Sequence, residues 1–317
     1  MNRSLETQIS HIQDFATQKD PYGASHFPIY NTGTFDLKKQ SGDKIYDYTR
    51  SDNPTREVLE NLFTQVEGGA GCVCTHTGIA SVALLFETVL KANSHILVEA
   101  DCYGGTFRLL KIFEDKYNVT VHFADFLDYE ALENILKNNP IDLVLCESPT
   151  NPGLKIIDLE EVATLTHKYN SLFAVDNSLA TFMSQRPLEL GADFSLFSTT
   201  KYISGHGSVV SGAIVAKTKT QADNIHYYAN AHGRSQNPMD IFLISLGIPN
   251  FVDAYHMSET MRDSVCDSLN REVLPRGGIV LNQEGFQKCI ENNEAHNAWM
   301  DTRNWIAGIV ILAIVVG

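Results

Sequence analysis

The stretch Asp193-Phe194-Ser195-Leu196-Phe197-Ser198-Thr199-Thr200-Lys201-Tyr202-Ile203-Ser204-Gly205-His206-Gly207 decides how the rest of the chain is read. Phe194, Leu196 and Phe197 make it a short buried strand that ends in hydroxyl residues, then a lysine, then a glycine-rich turn. An amine at the end of a buried strand is costly to desolvate, which pushes its pKa down. Only the neutral amine attacks a carbonyl, so Lys201 is a candidate for Schiff-base chemistry. Ser198, Thr199 and Thr200 offer donors beside it that suit a phosphate. A lone lysine after a strand is ordinarily a solvated surface residue. The other residues on the same rim argue against that reading here.

On both sides of this stretch, strands alternate with helices. The apolar spacing predicts strands at His95–Glu99, Val119–Phe123, Asp142–Cys146, Leu172–Val175, Phe194–Phe197 and Val209–Ala216. Between them it predicts helices at Gly78–Lys91, Thr106–Tyr117, Tyr129–Lys137 and Leu159–Tyr169. Upstream, one helix is expected over Leu5–Phe15. Another starts at Pro54, a residue suited to a first helical turn. Val58, Leu59, Leu62, Phe63 and Val66 form its apolar face, and Gly68-Gly69 ends it. The alternation predicts an α/β fold: a mostly parallel sheet with helices on both faces. Ligands of such sheets sit at the carboxyl ends of the strands. Glu147, Asp176 and Ser198–Lys201 end three of them.

The 317 residues exceed the roughly 100–200 of one typical domain. We expect an N-terminal arm over 1–50, a large domain over 51–240, and a small, incomplete C-terminal region over 241–317. The net charge of −14 argues against nucleic acid or an anionic membrane as a partner. Cys72, Cys74, Cys102, Cys146, Cys266 and Cys289 form neither a disulfide nor a zinc pattern and read as reduced core residues. The first fifteen residues lack the apolar run of a signal peptide, so a cytoplasmic location is expected. Trp305–Gly317 carries no charge but is shorter than the roughly 17–25 residues of a membrane span, and is expected to be a buried strand or helix.

Asp176 ends an apolar strand in Phe173-Ala174-Val175-Asp176-Asn177-Ser178. Such an acid either caps the next turn or, opposite a Schiff-base lysine, keeps a pyridine nitrogen protonated. Thr75-His76-Thr77-Gly78-Ile79-Ala80 opens a helix whose N-terminus favours phosphate. Tyr103-Gly104-Gly105-Thr106 places an aromatic ring just past a strand end, where it can stack on a flat ligand. No G-x-G-x-x-G follows the first strand, which removes a dinucleotide-binding dehydrogenase from consideration.

Taken in chain order over roughly residues 27–265, these residues resemble the Cys/Met-metabolism family of fold-type I pyridoxal-phosphate enzymes. That family includes cystathionine gamma-synthase, cystathionine lyases, methionine gamma-lyase and the O-acylhomoserine sulfhydrylases. Its lysine motif, S-x-T-K-Y followed by G-H, is met by Ser198–Tyr202 and Gly205-His206. Its D-N-T/S element is Asp176-Asn177-Ser178, and its E-S-P-T-N-P element is Glu147-Ser148-Pro149-Thr150-Asn151-Pro152. Its Y-G-G-T turn is Tyr103–Thr106, and its Y-S-R…N-P-T stretch appears as Tyr48-Thr49-Arg50…Asn53-Pro54-Thr55. The resemblance implies pyridoxal 5'-phosphate as cofactor, with Lys201 as the lysine that carries it and moves protons. Asp176 would pair with the ring nitrogen, and Tyr103 would stack on the ring and exchange protons. Gly78, Ile79, Ser198 and Thr200 would hold the phosphate, joined by Tyr48 and Arg50 of a neighbouring subunit. A homodimer or homotetramer follows. Asn151 and Glu147 would line the substrate side of the pocket.

Family members also carry an arginine, in an R-x-S-V-G-type segment, that grips the substrate carboxylate. Such a clamp orients an amino acid and selects it over other amines. No such segment follows Asp240 here. Gly277–Leu281 reads as a remnant of that region's first strand, and Arg271, Arg276 and Arg303 are candidate substitutes. Ser208 stands where an aspartate usually follows the glycine–histidine pair. The expected activity is a transferase or carbon–sulfur lyase of methionine and cysteine metabolism (trans-sulfuration), acting at the gamma carbon of an O-acylhomoserine or cystathionine-like substrate. Tyr103–Thr106 fits the synthase and lyase branch better than methionine lyases, in which a cysteine interrupts that turn. The alternative is a shortened, non-catalytic member that binds the cofactor or serves as a subunit or interaction protein.

Overall fold

A computed structural model of the chain describes residues 5–17, 20–40, 44–252 and 255. Arg271, Arg276, Arg303, Cys266, Cys289, the Gly277–Leu281 segment and the 305–317 run lie outside the described residues. The chain divides into two compact units, Met1–Phe251 and Val252–Gly317. The first unit holds every element named below.

It opens with α1 (Leu5–Ser10), a short 3-10 helix (Ile12–Phe15) and α2 (Pro54–Glu67). Then follow β1 (Gly71–Thr75), α3 (Gly78–Val89), β2 (His95–Glu99), α4 (Gly104–Tyr117), β3 (Thr120–Ala124), α5 (Tyr129–Asn138) and β4 (Ile141–Glu147). It continues through α6 (Leu159–Lys168), β5 (Leu172–Asp176), α7 (Thr181–Ser184), β6 (Phe194–Phe197), β7 (Gly212–Ala216) and α8 (Lys219–His232). The strands form one seven-stranded sheet in the order β1-β7-β6-β5-β4-β2-β3. β7 pairs antiparallel with β1 and β6, and every other pair is parallel. The mostly parallel α/β sheet expected from the alternation is therefore present.

Alternation within each strand sends side chains to opposite faces. On one face Ile96, Leu143, Leu145, Phe194, Leu196 and Ile214 join Val82, Leu85 and Phe86 of α3 in a continuous core. On the other, Phe197 meets Phe63 of α2 and Phe182 of α7, with ring centroids 6.2 and 6.3 Å away. The β6 stretch is thus buried from both sides. It can carry a polar turn only at its end.

α2 fixes the loop before it. Asn53 caps it, accepting from Thr55 N at 2.9 Å, Pro54 starts its first turn, and Gly68 ends it with φ 67°. Arg56, 2% exposed, donates to Thr49 O at 2.7 Å and Ser51 O at 2.9 Å and pairs with Glu60 Oε1 at 3.3 Å. Glu60 in turn accepts from Cys74 N at 3.0 Å. One buried guanidinium therefore ties the Tyr48–Arg50 segment to the helix, whose own Glu60 reaches β1.

Several boundaries differ from the sequence reading. The single helix expected over Leu5–Phe15 is interrupted at His11, with a 3-10 segment beyond it. The last strand starts at Gly212 rather than Val209. Ser211 is taken up by the preceding turn, where its amide donates to Thr200 Oγ1 at 2.9 Å and its hydroxyl to Thr75 O at 3.1 Å. β1, α7 and α8 were not anticipated, nor was the helical stretch 238–251. Among the described residues, no helix is long and apolar enough to cross a membrane.

One buried group stands outside these networks. Glu67, at the end of α2, is 0% exposed, and among the described residues neither carboxyl oxygen has a hydrogen-bond partner. Burial pushes its pKa from 4.5 up to about 8. A folded value above the unfolded one means that this carboxyl favours the fold most below about pH 4.5 and loses that contribution as pH rises through about 8. Glu67→Gln is therefore expected to gain stability over the wild type as pH rises from about 5 to 8, by on the order of 1–3 kcal/mol. Thermal melts of both chains at the two pH values check this, and an equal offset at both would contradict it.

Candidate active site

The polar residues gather where β4, β5 and β6 end. In the β4–β5 register Glu147 lies opposite Asp176, and in the β5–β6 register Asp176 lies opposite Leu196, two residues before Ser198. Asn177 N donates to Leu196 O at 2.8 Å, carrying the pairing past Asp176. The three strand ends singled out in the sequence are thus adjacent strands of one sheet.

Ser178 joins two of them. Its hydroxyl donates to Asp176 Oδ1 at 2.6 Å and accepts from Ser198 N at 2.6 Å, while its amide also reaches Asp176 Oδ1 at 3.0 Å. Burial raises the Asp176 pKa, and the two Ser178 donors pull it down. Glu147 is 6% exposed and accepts from Tyr103 N at 2.9 Å. Burial, and then the neighbouring Asp176 charge, push Glu147 up to about 8. Both carboxyls line a narrow cleft with Val82, Val98, Cys102 and Leu145. Among the described residues, neither is paired with a lysine, arginine or histidine.

The N-terminus of α3 comes to the same rim. Thr77 caps it by accepting from Ala80 N at 2.9 Å. The amides of Gly78 and Ile79 precede any intrahelical acceptor. Gly78 touches β6 closely: a Cβ there would lie 2.7 Å from Ser198 Cβ and 3.0 Å from Ser198 Oγ. Gly212 closes the third side, where a Cβ would meet Gly78 Cα and Ser81 Oγ at 2.7 Å. Two glycines thus let a helix start, a strand end and a strand start converge. Thr200, expected to hold phosphate, spends its hydroxyl on Ser211: it donates to Ser211 O at 3.0 Å and accepts from Ser211 N at 2.9 Å.

Tyr103 is the N-cap of α4 and is 45% exposed. Its ring folds back over Gly105, where a Cβ would press against it. The Glu147–Pro152 loop carries cis peptide bonds before Pro149 and Pro152 and leaves Asn151 exposed. It is pinned from β2 by residues that the sequence reading passed over. Thr150 Oγ1 donates to Asp101 Oδ2 at 2.6 Å and accepts from Lys155 N at 2.9 Å. Lys155 Nζ bonds Glu99 Oε1 at 2.7 Å and Asp125 Oδ1 at 3.0 Å. Glu99, fully buried, also accepts from Asp101 N at 2.9 Å and Phe126 N at 2.7 Å. A charged residue ending β2 was the available signal.

Lys201 corrects one expectation. It follows β6 in a turn, its amide donating to Ser198 O at 3.1 Å, but its side chain is exposed rather than desolvated. Tyr48 and Arg50 lie on the α8 side. Arg50 Nη1 donates to Asn230 O at 2.5 Å and Asn230 Oδ1 at 3.0 Å, and its guanidinium sits 5.4 Å from the Tyr48 ring centroid. Both residues are exposed.

The donor set fits a phosphorylated, cationic heterocycle that carries an aldehyde. The Gly78 and Ile79 amides with Ser198 suit the phosphate, and the unpaired carboxyl rim suits a protonated ring nitrogen. Lys201 offers an accessible amine. A family model described as Cys/Met metabolism PLP-dependent enzyme (PLP being pyridoxal phosphate) matches residues 7–252. The chain is 38% identical over 246 residues to L-methionine gamma-lyase of Fusobacterium nucleatum subsp. polymorphum, covering 74% of this chain and 62% of that protein. It is 32% identical over 255 residues to cystathionine gamma-synthase of Escherichia coli K12, covering 80% of this chain and 66% of that protein. The chain thus spans less than two thirds of the length of these curated relatives. Among solved structures, cystathionine gamma-synthase from Xanthomonas oryzae pv. oryzae in complex with cystathionine superposes with a TM-score of 0.78 at 34% identity, covering 86% of this chain and 70% of that one.

Gly78→Ala forces α3 away from β6, and is expected to cost about 1–3 kcal/mol of stability by overpacking. Its affinity for pyridoxal phosphate, followed by fluorescence titration, should fall about tenfold or more. Gly104→Ala is the control, since its Cβ would meet only Arg108 Nη1 at 3.6 Å. Equal affinities for the two variants would contradict the cradle.

Proposed function

The chain belongs to the Cys/Met-metabolism family of pyridoxal-phosphate-dependent enzymes, and on that premise we propose that it carries out gamma-replacement or gamma-elimination on an O-acylhomoserine or cystathionine-like amino acid. One observation carries the reading. The ends of β4, β5 and β6 and the start of α3 bring Glu147, Asp176, Ser198 and Gly78 to one rim, directly ahead of Lys201.

Pyridoxal phosphate, when bound, supplies a carbonyl for amines and a ring that accepts electron density from the substrate's alpha carbon. The chain's own part is binding, orientation and proton movement. The amides of Gly78 and Ile79, with the Ser198 hydroxyl, hold the phosphate at the positive end of α3. Asp176, oriented by two Ser178 donors, keeps a proton on the ring nitrogen. Tyr103, its amide anchored on Glu147, would stack against the ring. Lys201 Nζ would carry the cofactor and, as the amine on this rim, would take up the substrate's alpha proton and return it at a neighbouring carbon. Exposure in its turn lets the amine move between these tasks. Asn151, at the tip of the pinned loop, faces the substrate side.

Tyr48 and Arg50 complete the phosphate site of a second subunit in this reading, so the working unit is at least a dimer. Their exposure and mutual stacking support it. Tyr103–Thr106, free of a cysteine inside the turn, favours a cystathionine synthase or lyase over a methionine lyase.

Borohydride reduction of the full chain loaded with pyridoxal phosphate, followed by peptide mapping, should find the label on Lys201. Lys201→Ala should lose the covalent label and, with it, turnover by a factor on the order of 10³ or more. A label on another lysine would overturn the assignment.

A further inference from the structure

The turn that carries Lys201 is held from a segment well beyond it in the chain, the helical stretch 238–251. Within the turn, the buried Ser204 shares its hydroxyl proton between Thr200 O at 3.2 Å and Lys201 O at 3.3 Å, and its amide donates to Thr199 O at 3.0 Å. Backbone then meets backbone. A Cβ on Gly247 would overlap Ser204 O, and one on Gly205, whose φ is 66°, would overlap Gly247 O. So close an approach of two segments requires glycine on both sides. His206 adds a polar bond between them. Ser208 N donates to its Nδ1 at 3.0 Å, and Leu243 O lies 2.9 Å from its Nε2. A main-chain amide only donates and a carbonyl only accepts, so Nδ1 is bare and Nε2 carries the proton. The ring is thus held as one neutral tautomer with both nitrogens engaged. The Ser208 bond stays within the turn. The Leu243 bond joins the turn to the helical stretch.

We propose that His206 is a positioning residue for Lys201, clasping the lysine turn onto the 238–251 stretch through Nε2–H and Leu243 O. Gly205 and Gly247 set the depth of that contact. The path to the amine is short and continuous. Leu243 O holds His206, Gly247 abuts Ser204 O, and Ser204 Oγ holds the Thr200 and Lys201 carbonyls. What the clasp fixes is the point at which the Lys201 side chain leaves the main chain, just past β6 and beside Ser198. A flexible four-carbon stem that is exposed, as here, needs a fixed root if its amine is to reach one carbon repeatedly. The importance of Lys201 rests on the cofactor reading; the clasp itself does not. Both ring bonds lie at the surface, so their net contribution to stability is small, and their effect is on placement.

The test compares the full chain with its His206→Gln, His206→Asn and His206→Leu variants. Glutamine reaches as far as Nε2 and still donates to Leu243 O. Asparagine ends at the level of Nδ1, so it still accepts from Ser208 N but falls short of Leu243; leucine does neither. Without cofactor, hydrogen exchange over residues 199–208 should stay within about twofold of the wild type in the Gln variant and quicken about fivefold or more in the other two. Melting temperatures of all three should lie within about 3 °C of the wild type. With pyridoxal phosphate and borohydride, labelling of Lys201 should slow about fivefold or more in the Asn and Leu variants and return to within about twofold in the Gln variant. An Asn variant that matches Gln in both readouts, or a Gln variant that fails with the others, would overturn the proposal. So would exchange that rises evenly through the chain. Labelling that stays constant while exchange rises would make His206 a structural residue only, and also contradicts it. If the wild type takes up no pyridoxal phosphate, the functional reading fails, and the exchange series still decides the clasp.

Discussion

The in-register parallel pairing of β4, β5 and β6 is the constraint on which the rest of the site depends. Parallel strands end on the same rim, so three chain segments far apart in sequence deliver Glu147, Asp176 and Ser198 side by side. A shift of one residue in any of the three would turn its polar terminus toward the opposite face. The apolar cores on both faces resist such a shift, because Leu145, Ala174 and Leu196 would leave the face that they share with α3. Packing in the interior therefore sets the chemistry at the edge.

Close approach of backbone is the second determinant. Gly78 and Gly212 admit contacts that no side chain could occupy, and they bring the positive end of α3 against β6. At the opposite side of the rim, charge rather than smallness does the holding. Glu99, Asp101, Thr150 and Lys155 bind the loop that bears Asn151 to the end of β2. Arg56 performs the same service for the segment bearing Tyr48 and Arg50. The loops that bear Asn151 and Tyr48–Arg50 are thus backed by buried, hydrogen-bonded Glu99 and Arg56, which helps a site on loops keep its geometry.

Much of this was legible in the sequence, for identifiable reasons. β2, β4, β5 and β6 are buried on both faces and read as apolar runs, and the helices between them carry a clear apolar stripe. β1 was missed because Gly71-Cys72-Val73-Cys74-Thr75 has one large apolar residue. α8 was missed because Lys219–His232 shows only a weak apolar face in Ala222, Ile225 and Ala229. The site acids were visible as strand-terminal charges. Ser178 was quoted within a motif, yet its bridging role depends on a hydroxyl contact across strands that spacing does not encode. Exposure of Lys201 was misjudged for a related reason: the turn after β6 carries its side chain outward, away from the strand's buried environment. Contacts between segments distant in sequence, such as Lys155 with Glu99 and Arg50 with Asn230, lie beyond any local pattern.

The family, the fold and the donor set together support one central proposal, that the rim of β4, β5 and β6 carries a working pyridoxal-phosphate site. The absorption spectrum of the purified full chain, after addition of pyridoxal phosphate and then of cystathionine or O-succinylhomoserine, tests it most directly. The account requires a yellow, lysine-linked band that shifts when either amino acid is added. A chain that stays colourless after reconstitution, or whose band ignores both amino acids, would contradict it.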